Sequence, residues 1–148
     1  MSAGKDVLGI DIGSVAVSIA VVSVDKEVRD SCYRFHHGDL KQCISYVLGE
    51  VDLENVGYVA ATGSSSMVIY AAKHYDNQVA IISAATHFHP DVQAILAVGG
   101  EKFFLSTFDE QGNLQVVIEN SKGTTTNIVY DFKVNDYAEQ GKLKQPHP

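Results

Sequence analysis

The stretch Leu8-Gly9-Ile10-Asp11-Ile12-Gly13-Ser14-Val15-Ala16-Val17-Ser18-Ile19-Ala20-Val21-Val22 decides how this chain is read. An apolar run, a Gly-Ser turn and a second apolar run predict two strands folding back on each other. Runs rich in Ile and Val are what buried strands require. They leave Asp11 unexplained, an acidic side chain two residues before the turn, between Gly9 and Gly13. A phosphate-binding hairpin explains it. Gly13 lets the backbone come close to an anion and direct N–H groups at it. Asp11 can then hold a hydrated Mg²⁺ against the phosphates, because Mg²⁺ keeps most of its waters and needs only one or two carboxylates. An ordinary β-hairpin with Gly-Ser as turn chemistry fits the same residues. This stretch alone leaves both readings open.

A chain of 148 residues is long enough for a sizeable core. The formal net charge of −7 argues against a nucleic-acid surface, which calls for a basic patch. Asp11, Asp25 and later charges interrupt every apolar run before it reaches the length of a membrane span. Residues Met1 to Asp6 carry no apolar core of a secretory signal. Cys32 and Cys43 form no metal-ligand spacing, so the expectation is a reducing, cytoplasmic setting.

After the hairpin, Val24 to Glu27 reads as a polar turn and Val28 to His36 as an edge-like third strand. Asp39 is a helix N-cap, with Gln42 completing a capping-box pair. Leu40, Cys43, Ile44, Val47 and Leu48 recur at helical spacing until Gly49, which puts Cys43 on the core face. Val56 to Ala61 is a short buried strand. The hydroxyl-rich loop Thr62-Gly63-Ser64-Ser65-Ser66 follows, either contacting a ligand or capping a helical segment over 67–75. Val79 to Ser83 is a strand or the start of a helix running to His87; periodicity does not choose. His87-Phe88-His89-Pro90-Asp91 has no third ligand at metal spacing and reads as a loop.

The opening pattern then recurs. Ala94 to Val98, the turn Gly99-Gly100, Lys102 to Phe108, the acidic turn 109–113 and Leu114 to Glu119 repeat strand, glycine turn, strand, turn, strand. The two glycine turns stand 86 positions apart (13 and 99). Two similar lobes opening on such hairpins would set two phosphate loops facing each other. Alternation from Ile128 to Asn135 suits one more strand, and residues 137–148 are polar, like a tail. A sheet of three or four strands with no helix of its own would expose an apolar face. The expected division is therefore a first lobe over 5–92, a partial second lobe over 93–136 and a tail over 137–148.

On these residues the chain resembles the ASKHA superfamily of acetate and sugar kinases, heat-shock chaperone ATPases and actin. It is most similar to the activator ATPases of 2-hydroxyacyl-CoA dehydratases and benzoyl-CoA reductases. Gly9-Ile10-Asp11-Ile12-Gly13-Ser14 matches the first phosphate motif. His89-Pro90-Asp91-Val92 with Ile95-Leu96-Ala97-Val98-Gly99-Gly100-Glu101-Lys102 resembles the approach to the second. Asn120-Ser121-Lys122 resembles the residues ahead of the iron–sulfur segment. The resemblance implies an α/β fold: a ribonuclease H-like (actin-like ATPase) lobe with a mixed sheet, then the initial β-meander of a second lobe. It implies ATP or ADP with Mg²⁺ as cofactor, held through water by Asp11 as the catalytic carboxylate. Gly13 and Ser14 would hold phosphates, and Gly99 and Gly100 would form the opposing loop. It also implies a homodimer whose ATP hydrolysis drives an electron onto a dehydratase or reductase partner protein.

Three departures shape the expectation. The family's acidic residue ahead of its second glycine pair is Ala97 here, with Glu101 as a partial substitute. The family's Cys-Ala-Ala-Gly-Thr-Gly segment is replaced by Gly123-Thr124-Thr125-Thr126-Asn127, so no iron–sulfur cluster is expected, since clusters need thiolates. The chain also stops before the rest of the second lobe. The expected function is the nucleotide-binding portion of an activator-type ATPase, incomplete or weakly active alone. The alternative is a non-catalytic binding or assembly module on the same lobe fold. A small-molecule kinase is a third reading, and it lacks a recognisable catalytic base.

Overall fold

The computed structural model describes residues 4–63, 69–70, 73–99, 102–121 and 124–133. Alternation in the opening stretch builds the first sheet. Strand β1 (Asp6–Ile12) turns Leu8, Ile10 and Ile12 into the core and leaves Gly9 and Asp11 half-buried on the other face. Strand β2 (Ala16–Val22) runs back, setting Ile19 opposite Ile10 and Ser18 opposite Asp11. Strand β3 (Val28–Phe35) adds beyond β2 as the sheet edge.

Helix α1 (Leu40–Glu50) starts where Asp39 accepts the Gln42 N–H at 3.0 Å. The reciprocal half of the capping box is not made, because the Asp39 N–H donates to the His36 carbonyl at 2.8 Å. The helix lays Cys43 and Val47 on Leu8, Ile10, Val17 and Ile19 and carries the chain to β4 (Val56–Thr62). Strand β4 lies parallel to β1, and β5 (Lys73–Tyr75) parallel to β4, giving the order β3-β2-β1-β4-β5. The helix expected over 67–75 is thus corrected at its end: pairing with Ala60–Thr62 makes Lys73–Tyr75 a strand. Ser64, Ser65, Ser66 and Met67 lie outside the described residues.

The ambiguous Val79–Ser83 run is helical. Helix α2 (Asn77–Phe88) is capped by Asp76, whose carboxylate accepts the Gln78 and Val79 N–H groups at 2.8 and 3.4 Å. Strands β6 (Ala94–Val98), β7 (Lys102–Phe108), β8 (Asn113–Ser121) and β9 (Thr124–Lys133) follow as an antiparallel meander in that order. Val79 and Ile82 of α2 pack with Ile95, Phe104 and Leu114. The chain divides into the compact units Met1–Tyr75 and Asp76–Pro148. That places α2 with the second sheet, so the sheet expected to have no helix of its own has one, and one of its faces is covered. The tail expected over 137–148 lies outside the described residues.

The two meanders are one pattern used twice. Moved along by the distance from Gly13 to Gly99, the pairs Ile10–Ile19 and Asp11–Ser18 become Leu96–Leu105 and Ala97–Phe104. The pair Ile19–Cys32 becomes Leu105–Ile118, and the irregularity between Val21 and Val22 recurs between Thr107 and Phe108. Even the second turn repeats. Ser23 N–H donates to the Glu27 carbonyl at 2.9 Å and Lys26 N–H to the Ser23 carbonyl at 3.0 Å; Asp109, Asn113 and Gly112 make the same two bonds at the same lengths. The left-handed position falls on Lys26 in one (φ 64°) and on Gly112 in the other (φ 79°).

In the second copy of that turn, Asp109 accepts the backbone N–H groups of Gln111 (2.9 Å) and Asn113 (2.8 Å) and the Asn113 side-chain amide (2.8 Å). These donors, the Asn113 side chain foremost, hold its carboxyl below its ordinary value of 3.8. A lowered folded-state value means the bonds stabilise fully above the ordinary value and fade as pH falls through the folded one. The Asn113 amide resonance is therefore expected to titrate with a midpoint below 3.8, and Asp109→Asn should abolish that titration. A second expectation concerns α1. Gly49 sits exposed inside the helix, and a methyl group there would meet nothing within 4 Å. Gly49→Ala should stabilise the first unit by about 0.5–1 kcal/mol, read as a raised urea midpoint at unchanged slope.

Candidate functional site

Asp11 stands at the carboxyl end of β1, and β4 brings Thr62 alongside it at the carboxyl end of a parallel neighbour. The Thr62 hydroxyl donates to Asp11 Oδ1 at 2.6 Å. Carboxyl ends of parallel strands are where open α/β sheets place their ligands. Ser18, opposite Asp11 on β2, adds a third polar residue to the same face. The loop hydroxyl that reaches the carboxylate is thus that of Thr62, the first residue of the hydroxyl-rich loop and the last of β4. Its signal was in the register: a threonine closing an apolar strand parallel to the one that carries the carboxylate.

The hairpin tip is held from two sides. Gly13 N–H donates to the Ala16 carbonyl at 2.9 Å, and the Val15 carbonyl accepts the His36 N–H at 3.1 Å. The His36 carbonyl in turn takes the Asp39 N–H, so the tip, the end of β3 and the start of α1 form one connected corner. The Gly13 amide is spent inside the turn, so an anion at the tip would meet the amides of Ser14 and Val15, both on exposed residues. Gly13 does not have positive φ, and a Cβ there would lie 3.4 Å from the Ala16 carbonyl, an ordinary contact. The turn itself does not demand glycine. Without a side chain at Gly13, the tip leaves room for close approach to the backbone.

The donor set suits Mg²⁺ held through water. No group of three His, Cys, Asp or Glu that could cage a metal occurs among the described residues. One carboxylate beside a row of phosphates is what Mg²⁺ uses, whereas Ca²⁺ and Zn²⁺ need fuller protein shells. The thiols are placed otherwise: Cys43 is buried, with Sγ 3.7 Å from the Arg34 carbonyl, and Cys32 packs against the same core. On the second meander Gly99 is exposed at the end of β6, while Gly100 and Glu101 lie outside the described residues. Ala97, the counterpart of Asp11, packs against the α2 core.

No family model matches the sequence, and no curated protein matches it. Solved structures do match. The activator of 2-hydroxyisocaproyl-CoA dehydratase from Clostridium difficile, with bound ADPNP, aligns over 79% of this chain and 46% of its own, at 18% identity and a TM-score of 0.66. The (R)-2-hydroxyglutaryl-CoA dehydratase component A from Acidaminococcus fermentans aligns over 80% and 48%, at 22% identity and the same TM-score. The ethanolamine utilization protein EutJ from Carboxydothermus hydrogenoformans aligns over 79% and 52%, at 14% identity and a TM-score of 0.54. The chain has the actin-like ATPase fold. It spans about half the length of these structures.

The Thr62–Asp11 bond gives the site its first test. Thr62→Val keeps the shape and removes the charge-assisted donor, at an expected cost of about 1–2 kcal/mol in urea unfolding. Thr62→Ser should recover most of that loss. Equal midpoints for Thr62→Val and the parent chain would show that the bond does not hold the carboxylate.

Proposed function

We propose that the first unit is the phosphate-binding half of an actin-like ATP site, with Asp11 organising a hydrated Mg²⁺ and the Gly13–Ser14 tip meeting the phosphates. The observation that carries this is the Asp11 carboxylate, fixed by Thr62 at the carboxyl end of β1, beside a glycine that the turn does not require. Gly99, Gly100 and Glu101 are proposed as the corresponding loop of the second unit. The likeness to two dehydratase activators supports an activator-type role. ATP hydrolysis would be coupled to electron transfer onto a CoA-ester dehydratase or reductase in the cytoplasm, the chain working as a homodimer. No helix among the described residues is long and apolar enough to cross a membrane. When bound, Mg·ATP would supply the phosphoanhydride; the chain's own part is to orient the metal's waters through Asp11 and screen the phosphates with tip amides.

A second reading is favoured by Ala97. The second meander has no carboxylate at the position of Asp11, and the strand pair there, Ala97–Phe104, is packed under α2. A half-site of this kind binds nucleotide with little turnover, or serves as a binding module on the same fold. Titration calorimetry with Mg·ADP and Mg·ATP separates the possibilities. Binding is expected, and Asp11→Asn should weaken its Mg²⁺-dependent part about tenfold, near 1.4 kcal/mol. The absence of heat at millimolar nucleotide would leave the non-nucleotide module as the function.

A further inference from the structure

The corner between β3 and α1 is built from four residues, His36-His37-Gly38-Asp39. Asp39 N–H donates to the His36 carbonyl at 2.8 Å across two residues of positive φ, His37 (47°) and Gly38 (88°). Two left-handed central residues closed by that bond are what a type I′ turn requires. Glycine meets the demand at position 38. Histidine at position 37 does not, because a side chain in the left-handed region costs free energy and persists only where its surroundings hold it. The turn therefore needs support beyond its own backbone.

The side chain of His36 supplies it. Its Nδ1 accepts the Gly38 N–H at 3.1 Å, inside the turn. The backbone of the same residue reaches both neighbours: its N–H donates to the Val15 carbonyl at the hairpin tip, and its carbonyl takes the Asp39 N–H. Asp39 then accepts the Gln42 N–H at 3.0 Å and caps α1. One residue thus ties the tip, the turn and the helix start together. The ring bond is conditional on charge. The Gly38 amide can only donate, so the imidazole must keep Nδ1 bare and carry its proton on Nε2. In the imidazolium both nitrogens are donors, and the bond to Gly38 is lost.

We propose that His36 is a pH-sensitive latch: neutral, it holds the type I′ turn and with it the tip and the start of α1; protonated, it loosens them. Histidine is the side chain that ordinarily changes charge between about pH 5 and 8. The turn carries two other titratable groups, His37, whose ring lies 5.9 Å from that of Phe35, and Asp39, whose carboxylate is committed to the helix cap. Strand β3 brings Arg34, stacked at 3.5 Å on the Tyr46 ring of α1. Helix α1 adds Lys41 and the buried Cys43, with no acid in its first turn. The hairpin tip, Gly13 to Val17, carries no titratable side chain. The latch needs no nucleotide and stands apart from the proposed phosphate site.

Imidazole nitrogen NMR and amide exchange on the whole chain test this. At about pH 8 the His36 ring should carry its proton on Nε2 and leave Nδ1 bare. Protection of the His36, Gly38 and Asp39 amides, each corrected for its intrinsic rate, should fall about fivefold as the ring titrates towards about pH 5, the worth of one ordinary hydrogen bond. Protection of Ile19, in the middle of β2, should stay level. His36→Asn offers an oxygen acceptor that does not titrate, so it should keep the protection and remove its pH dependence. His36→Ala should show the low-pH values throughout. A proton on Nδ1 at the upper end would overturn the proposal. So would protection that stays level across the titration, or that falls equally at Ile19 or in His36→Asn.

Discussion

Everything in the first unit depends on the two-residue period of β1. Successive side chains of a strand point to opposite faces, so burying Leu8, Ile10 and Ile12 under α1 forces Gly9 and Asp11 to the other side. A slip of one residue would drive the carboxylate into an apolar core and carry three large side chains out of it. The register that packs the core is thus the register that presents the carboxylate. Fold and site are specified by a single constraint, which is why a short strand ending in a glycine turn can carry both.

The same strand shows how placement turns a side chain into a site. Asp11 gains its fixed position from Thr62, which arrives on β4 only because α1 crosses from β3 to the far side of β1. The tip gains its rigidity from His36 and from the turn into α1. None of these partners neighbours Asp11 in sequence. The local stretch supplies the carboxylate and the close backbone; the crossover supplies their geometry.

Much of this was legible in the residues. Alternation and glycine turns placed β1, β2, β3, β6 and β7 nearly as they stand, and Asp39 marked the start of α1. Tertiary partners account for what was not. Residues Asn77–Phe88 are apolar on several sides, so periodicity could not separate a helix from a strand; burial of Val79 and Ile82 against the second sheet decides it. The stretch Lys73–Tyr75 has no strand signal of its own and pairs because β4 offers an open edge. Nothing in the sequence marked Asp6, which is buried and meets Arg29 at 3.2 Å across the intervening strand β2. At the site, Asp11, Gly13 and Ser14 were legible as a motif. The spending of the Gly13 amide inside the turn and the role of Thr62 were not, because both belong to the folded geometry.

The two meanders also explain each other's chemistry. They share register, bulge and turn, yet a helix covers opposite faces of the two sheets: the Leu8–Ile10–Ile12 face in the first, the Ile95–Ala97 face in the second. A carboxylate at position 97 would be pressed against Phe104 and α2, where an unpaired charge is expensive. Alanine suits that place. At position 11 the helix is on the other side, the opposite residue is Ser18, and the aspartate is half-buried beside polar neighbours. That Ala97 rather than a carboxylate stands there is therefore accounted for by packing. One backbone pattern serves as a polar surface where its helix lies behind it, and as part of an apolar core where its helix lies in front.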